Sequence, residues 1–201
     1  MNSVPERDEA LALLREEGCP ENVIRHVIAV TDEALRIADR ITAAGCPVDI
    51  RLVEAGGLLH DLGRSVSHGM DHAVIGASLA EKHGLDPALV LIIKKHIGAG
   101  LSREDAVSFG LPDDDYIPGT LEEKIVAHAD NLLKGSQKIT LKKRLKIMKE
   151  RNISKTERKK VRDLAFEILS YEINGHGPEN IFPEQTGPDH RCPACLPVSG
   201  P

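Results

Sequence analysis

Apolar residues recur at intervals of three and four along most of this chain, the spacing that gives an α-helix one core-facing side. The clearest run places Val23, Val27, Val30, Ala34, Ile37 and Ile41 on one face and predicts a long helix from about Pro20 to Ala44. Strong helix formers at 6–17 precede it and stop at Gly18. Asp49 is a candidate N-cap for a helix over about 50–62 that Gly63 closes. A helix over 71–83 ends at Gly84, and Asp86-Pro87 opens another to about Ile97. Ser102 with Asp105 gives a capping-box pair for a short helix over 102–109, and Pro112 and Pro118 mark a loop over 110–119. Thr120, with Glu123 at the reciprocal position, caps a helix through Leu133, and further helices follow over about 138–150 and 155–173, the last with Ser154 or Thr156 as its cap. No run alternates with period two, so strands are expected to be few or absent. The prediction is an all-α helical bundle over 1–173 and an irregular, Gly- and Pro-rich tail over 174–201.

Composition narrows the classes. A chain of 201 residues with 41% hydrophobic content can bury a core as one domain. It has no apolar stretch of membrane-spanning length, and its first residues lack a basic-then-apolar leader pattern, so it reads as cytoplasmic with no membrane partner. Four cysteines in a chain of this length do not form a disulfide framework. A net charge of −5 argues against a protein that coats nucleic acid. The charge is unevenly spread, however: 13 of the 26 Lys and Arg residues fall between Lys134 and Arg162. With aromatics at 2%, that run reads as a solvated face, and nucleic acid is not expected as a partner.

Candidate chemistry lies at the end of an apolar helical segment, where Ala55 to Arg64 contains the dipeptide His60-Asp61. His26 lies upstream, His72 and His96 downstream, and Asp130 in a later apolar run. Imidazoles and carboxylates hold divalent ions while leaving positions for water and phosphate oxygens. A carboxylate on the apolar face around Ile125, Val126 and Ala127 needs a partner, and a cation is one. Ligands on facing helices are a common way to build a metal centre inside a bundle.

This ordered set resembles the HD superfamily of metal-dependent phosphohydrolases. Leu58 to Arg64 is similar to that family's His-Asp-Ile-Gly-Lys form, Asp71 to Ala77 to its later His-x-x-x-Gly-Ala element, and Lys124 to Leu132 to its terminal Asp motif. The resemblance covers about 22–138 and is nearest to small archaeal HDIG-type proteins. It implies His26, His60, Asp61 and Asp130 as primary ligands, with His72 and His96 as additional ligands of a second ion that Asp61 bridges. One departure is Ile97, where many two-metal members carry a second histidine. The implied cofactor is one or two divalent ions: Mn, Fe, Co, Ni or Zn, with Mg admissible at an oxygen-rich position. The implied activity is hydrolysis of a small phosphorylated substrate, a nucleotide or another phosphate ester, as a phosphomonoesterase or phosphodiesterase. Asp61 and Arg64 are the catalytic candidates. Arg64 also stands as a substrate contact, together with Lys134 and Lys138, which continue the Asp130 face at four-residue steps if the helix runs through Gly135.

Other candidates have simpler explanations. His83 precedes a helix-ending glycine, His128 points away from Asp130 on a shared helix, and His68 is separated from His72 by Gly69. Lys94 and Lys95 read as a solvated face. A single Cys192-x-x-Cys195 falls short of a zinc ribbon, though His176 or His190 could extend it, and the pair reads as free thiols in the tail. Two rival readings stand beside the enzyme: a non-catalytic metal- or nucleotide-binding regulatory module, and an RNA-binding protein that uses 134–162. A homo-oligomer is compatible with the pattern.

Overall fold

The computed structural model describes residues 3–177. In chain order the elements are α1 (Arg7–Glu16), α2 (Glu21–Ala43), α3 (Ile50–Leu59), a 3-10 turn (Leu62–Ser65), α4 (His72–Lys82), α5 (Pro87–Lys95), α6 (Arg103–Ser108), α7 (Leu121–Asn131), β1 (Leu133–Lys134), β2 (Gln137–Lys138), α8 (Leu141–Glu150) and α9 (Lys155–Asn174). The fold is all-α, as the periodicity predicts. No helix of the described residues is long and apolar enough to cross a membrane. Most of the tail, including His190, Cys192 and Cys195, lies outside the described residues.

The predicted stripe of α2 is buried along its whole length, from Val23 to Ile41. Two apolar clusters share α2, α3 and α5. One adds α7 and α9 through Ile125, Val126, Leu164 and Ile168. The other adds α1 and α4 through Ala10, Leu14, Ala77 and Ala80. Helix α3 therefore runs through the middle of the bundle, and whatever follows its last turn is delivered into the interior. The caps form where side-chain chemistry places them: Asp49 accepts from the Leu52 amide at 3.0 Å, Asp86 from Ala88 at 2.8 Å and Ser154 from Glu157 at 3.0 Å. Thr120 accepts from the Glu123 amide at 3.2 Å, but the Glu123 carboxylate turns to the Gly119 amide at 2.6 Å and to Lys95 at 3.2 Å, so the reciprocal half of the expected box is replaced.

The structure corrects one stretch of the sequence reading. Helix α7 ends at Asn131, and Leu133–Lys138 forms a two-stranded antiparallel hairpin pairing Leu133 with Lys138 and Lys134 with Gln137. Gly135, at the first position of the two-residue turn, has φ +57°, a left-handed conformation that a helix does not continue through. Lys134 and Lys138 therefore do not extend the Asp130 face. Lys134 is solvent-exposed, and Lys138 pairs with the buried carboxylate of Glu33 on α2 at 2.7 Å. The helix expected from 138 starts instead at Leu141, capped by Thr140.

Candidate metal centre

Five elements converge on one point. His26 comes from the second turn of α2, His60 and Asp61 from the end of α3, His72 from the first residue of α4, His96 from the end of α5 and Asp130 from the last turn of α7. At Asp61 the backbone leaves the helix, with φ −98° and ψ 18°, in the sparsely populated bridge region. Successive side chains on a continuing helix point about 100° apart; the break lets His60 and Asp61 face the same interior. Gly63 makes the next step of that path feasible. A Cβ there would meet the His72 carbonyl oxygen at 2.0 Å and the Gly76 nitrogen at 2.7 Å, so only glycine allows the 3-10 turn to lie on the first turn of α4.

The Asp61 carboxylate is the hub. Its Oδ2 lies 3.7 Å from His26 Nε2 and 3.7 Å from His60 Nε2. Its Oδ1 lies 3.2 Å from His72 Nε2 and 3.6 Å from His96 Nε2. Asp130 Oδ1 lies 3.1 Å from His26 Nε2. One carboxylate thus stands between two groups, His26 with His60 on one side and His72 with His96 on the other, each able to offer its ligand atoms to a common ion. His60, Asp61, His72 and His96 are all buried.

Each imidazole is anchored from behind by the backbone. The Nδ1 of His26 lies 2.8 Å from the Gly135 carbonyl, that of His60 2.8 Å from Gly57, that of His72 2.7 Å from Gly69 and that of His96 2.7 Å from Ile93. A carbonyl only accepts, so each Nδ1 carries the proton, and a neutral ring then turns its Nε2 lone pair inward. This is the arrangement by which a protein presents histidine to a metal. The inward side is unsatisfied. His60 Nε2 is buried without a hydrogen-bond partner among the described residues. His72 and His96 bring their Nε2 atoms within 3.0 Å of each other, where two lone pairs repel unless a cation or a proton intervenes. The donor set therefore fits a divalent ion of the imidazole- and carboxylate-binding type.

The electrostatics agree. Burial lowers His60 to about 4 and also lowers His72, which keeps both rings neutral. Burial would raise Asp61, but its close contacts with His60, His72 and His96 outweigh it and hold the carboxyl well below the usual range. Burial likewise opposes the charge of His26, yet the hydrogen bond to Asp130 prevails and raises it to about 9, while Asp130 falls to about 2 against its own burial. A proton on His26 Nε2 facing two carboxylates occupies the place where a cation is best held, and a ligand imidazole gives up that proton on binding.

Arg64 packs beside the hub. Its Nε donates to Asp61 Oδ1 at 3.1 Å and its Nη1 to the His68 carbonyl at 2.8 Å. It lines a cavity of about 440 Å³ with Asn22, Arg25, His26, Asp61, His68 and Ser136. The sequence reading missed Asn22, Arg25 and Ser136, although Asn22 lies one turn before His26 on the same face of α2. Three other candidates sit elsewhere. His83 pairs with Glu17 at 2.6 Å, Lys94 pairs with Asp114, and Lys95 with Glu123. His128 is buried with its Nδ1 unpaired, on the far side of α7 near Glu33 and Arg40. Arg144, also missed, donates to the carbonyls of Asp130, Asn131 and Leu133, tying α8 to the end of the helix that carries Asp130.

Known proteins resemble this chain in sequence or in fold. An uncharacterised protein of Methanocaldococcus jannaschii is 48% identical over 136 residues, 68% of this chain and 80% of the relative. A tRNA (cytidine(56)-2'-O)-methyltransferase of Picrophilus torridus is 43% identical over 150 residues, 75% of this chain; the match spans only 42% of that longer protein. Among solved structures, the HD domain of the L. monocytogenes phosphodiesterase PgpH, in complex with cyclic-di-AMP, superposes with a TM-score of 0.51 at 18% identity, covering 81% of this chain and 95% of that one. The HD domain profile matches residues 23–135, more than half of the sequence, and the chain belongs to the HD-domain family.

Proposed function

We propose that this protein is a metal-dependent phosphohydrolase acting on a ribonucleotide phosphoester. The observation that carries the reading is the set of four carbonyl-anchored imidazoles whose Nε2 atoms converge on the two oxygens of one buried carboxylate. His26, His60, Asp61 and Asp130 would hold one divalent ion, and His72 and His96 with the shared Asp61 a second. Bound there, such ions supply Lewis acidity, which makes water a nucleophile near neutral pH and neutralises charge on phosphoryl oxygens.

The remaining work falls to the chain. Asp61, held ionised by its neighbours, orients the attacking water as well as bridging the two groups. Arg64 fixes that carboxylate through Nε and has Nη2 left to meet a phosphate oxygen at the cavity wall. Arg25, exposed at the same opening, adds positive charge for an anionic substrate. A volume of about 440 Å³ suits a nucleotide-sized group. The substrate class is supported by two relatives: the structural neighbour is a phosphodiesterase bound to a cyclic dinucleotide, and a sequence relative is named for tRNA.

The test measures metal content and phosphate or nucleotide release for wild type, His60→Ala and Asp61→Asn over a panel of mono-, di- and cyclic ribonucleotides. The expected outcome is turnover by metal-loaded wild type and a loss of at least 100-fold, on the order of one lost ligand or its support, in both variants. Folded, metal-loaded wild type that hydrolyses none of the panel would make the protein a binding module instead.

A further inference from the structure

We propose that the α8–α9 hairpin is a docking surface for the phosphate backbone of a single-stranded RNA segment. Between Lys134 and Arg162 the chain carries 13 cations and only two acids, Glu150 and Glu157, so this stretch has a net charge of +11 within a protein of net charge −5. Sequence alone leaves such a run as a solvated face. The structure adds three facts that single it out.

First, the charge is gathered around a concavity. A cavity of about 530 Å³ between α8 and α9 is lined by Leu145, Lys155, Thr156, Arg158, Lys159 and Arg162, with no carboxylate among its lining residues. The four α9 cations stand at i, i+3, i+4 and i+7, one face of the helix; Lys159 and Arg162 share a single carboxylate, Asp163, at 2.6 and 3.0 Å, while Lys155 and Arg158 form no ion pair with an acid among the described residues. A solvated helix face is normally laced with opposite charges at such spacings; here four cations along the groove meet one acid, an excess of positive charge that a polyanion relieves.

Second, the same face continues to Phe166, one turn beyond Arg162, with 58% of its surface exposed. An exposed aromatic in line with a row of cations is what an unpaired base stacks on. With a single aromatic on that face, recognition is by backbone and one stacked base, and so tolerant of sequence.

Third, the surface is mechanically continuous with the metal centre. Gly135 and Ser136 line the site cavity, α8 starts at Leu141, and Arg144 fastens α8 to the carbonyls of Asp130, Asn131 and Leu133. A strand held on the hairpin is therefore held on the element that leaves the cavity wall. The choice of RNA among polyanions rests on the ribonucleotide reading above; the charge and the groove do not.

The test is fluorescence anisotropy of a labelled 24-nucleotide RNA with the full chain in excess EDTA, so binding is read apart from turnover. With four phosphate contacts, the affinity should fall about 50-fold between 50 and 200 mM salt. The variant K155Q/R158Q/K159Q should lower the salt slope by about 2, and F166A should weaken binding about tenfold at fixed salt. The conservative K155R/K159R should bind like wild type; circular dichroism checks that each variant is folded. The proposal is overturned if wild type does not bind RNA at 50 mM salt, if the folded triple variant keeps the wild-type salt slope, or if anionic phosphatidylserine vesicles are bound and RNA is not. RNA binding by a protein that hydrolyses no ribonucleotide would sink the hydrolase reading alone and leave the docking surface standing.

Discussion

Gly63→Ala is a one-atom-group change whose effect can be worked from the packing. The added Cβ would sit 2.0 Å from the His72 carbonyl oxygen, about 1.0 Å inside the 3.0 Å that real Cβ contacts respect, and 2.9 Å from the His72 carbonyl carbon. Both obstacles are backbone, so no rotamer change relieves them. The 3-10 turn and α4 must move apart by roughly 1 Å. Overpacking on this scale costs about 3 kcal/mol, toward the upper end for inserted methyl groups because the neighbour is backbone. For a folded region of this size that lowers Tm by about 6–12 °C. The displacement is also directional. It carries His72 away from Asp61 Oδ1, now 3.2 Å distant, while His26, His60 and Asp130 stand on other elements. The variant should therefore lose the His72–His96 half of the centre before the His26–His60–Asp130 half. Calorimetric melting, together with metal stoichiometry by atomic emission after dialysis, reads both effects. A variant that melts within 1 °C of wild type, or that retains the wild-type metal complement while destabilised, would refute the reasoning.

Three further outcomes are expected. Lys138→Met removes the ion pair to Glu33 that seats the β1–β2 hairpin, and with it the support of the Gly135 carbonyl behind His26; metal affinity, read by competition with a chromogenic chelator, should fall about tenfold while the fold persists. His128 is held near 4 by burial, below its ordinary 6.5, so the folded state favours the neutral ring. Its contribution is whole above pH 6.5 and is lost as pH falls from 6.5 toward 4, by up to about 3 kcal/mol; His128→Leu should flatten that part of the stability–pH curve when both proteins are melted in chelator. Stripping the metal should itself lower stability, by about 2.7 kcal/mol relative to protein held at an ion concentration one hundred times its Kd, and an unchanged Tm on chelation would argue against the centre.

The helices were legible because most carry an apolar stripe, a side-chain cap or both: the α2 stripe from Val23 to Ile41 and the Asp49 and Asp86 caps are local signals that tertiary packing did not override. The six ligand candidates followed from their order in the chain, which resembles that of the HD superfamily; the structure brings the six side chains together. The errors fell at Gly135. A lone glycine inside a helical pattern is usually tolerated, and only the two-residue turn with Gly first, flanked by Leu133 and Lys138, signalled a hairpin. What no local pattern reports is the support that joins separate elements: the Gly135 carbonyl behind His26 and the grip of Arg144 on the end of α7. The carbonyls behind His60, His72 and His96 and the contact of Arg64 with Asp61 each lie only three residues away in the chain.

The six converging side chains span His26 to Asp130 and belong to elements that no short segment brings together. Both groups of the centre are complete only when all five elements are in place. A nascent or damaged chain missing any one of α2, α3, α4, α5 or α7 lacks at least one of the six side chains. Filling both groups would accordingly report that the whole bundle has closed. If the centre holds metal as proposed, full occupancy would separate finished molecules from unfinished ones.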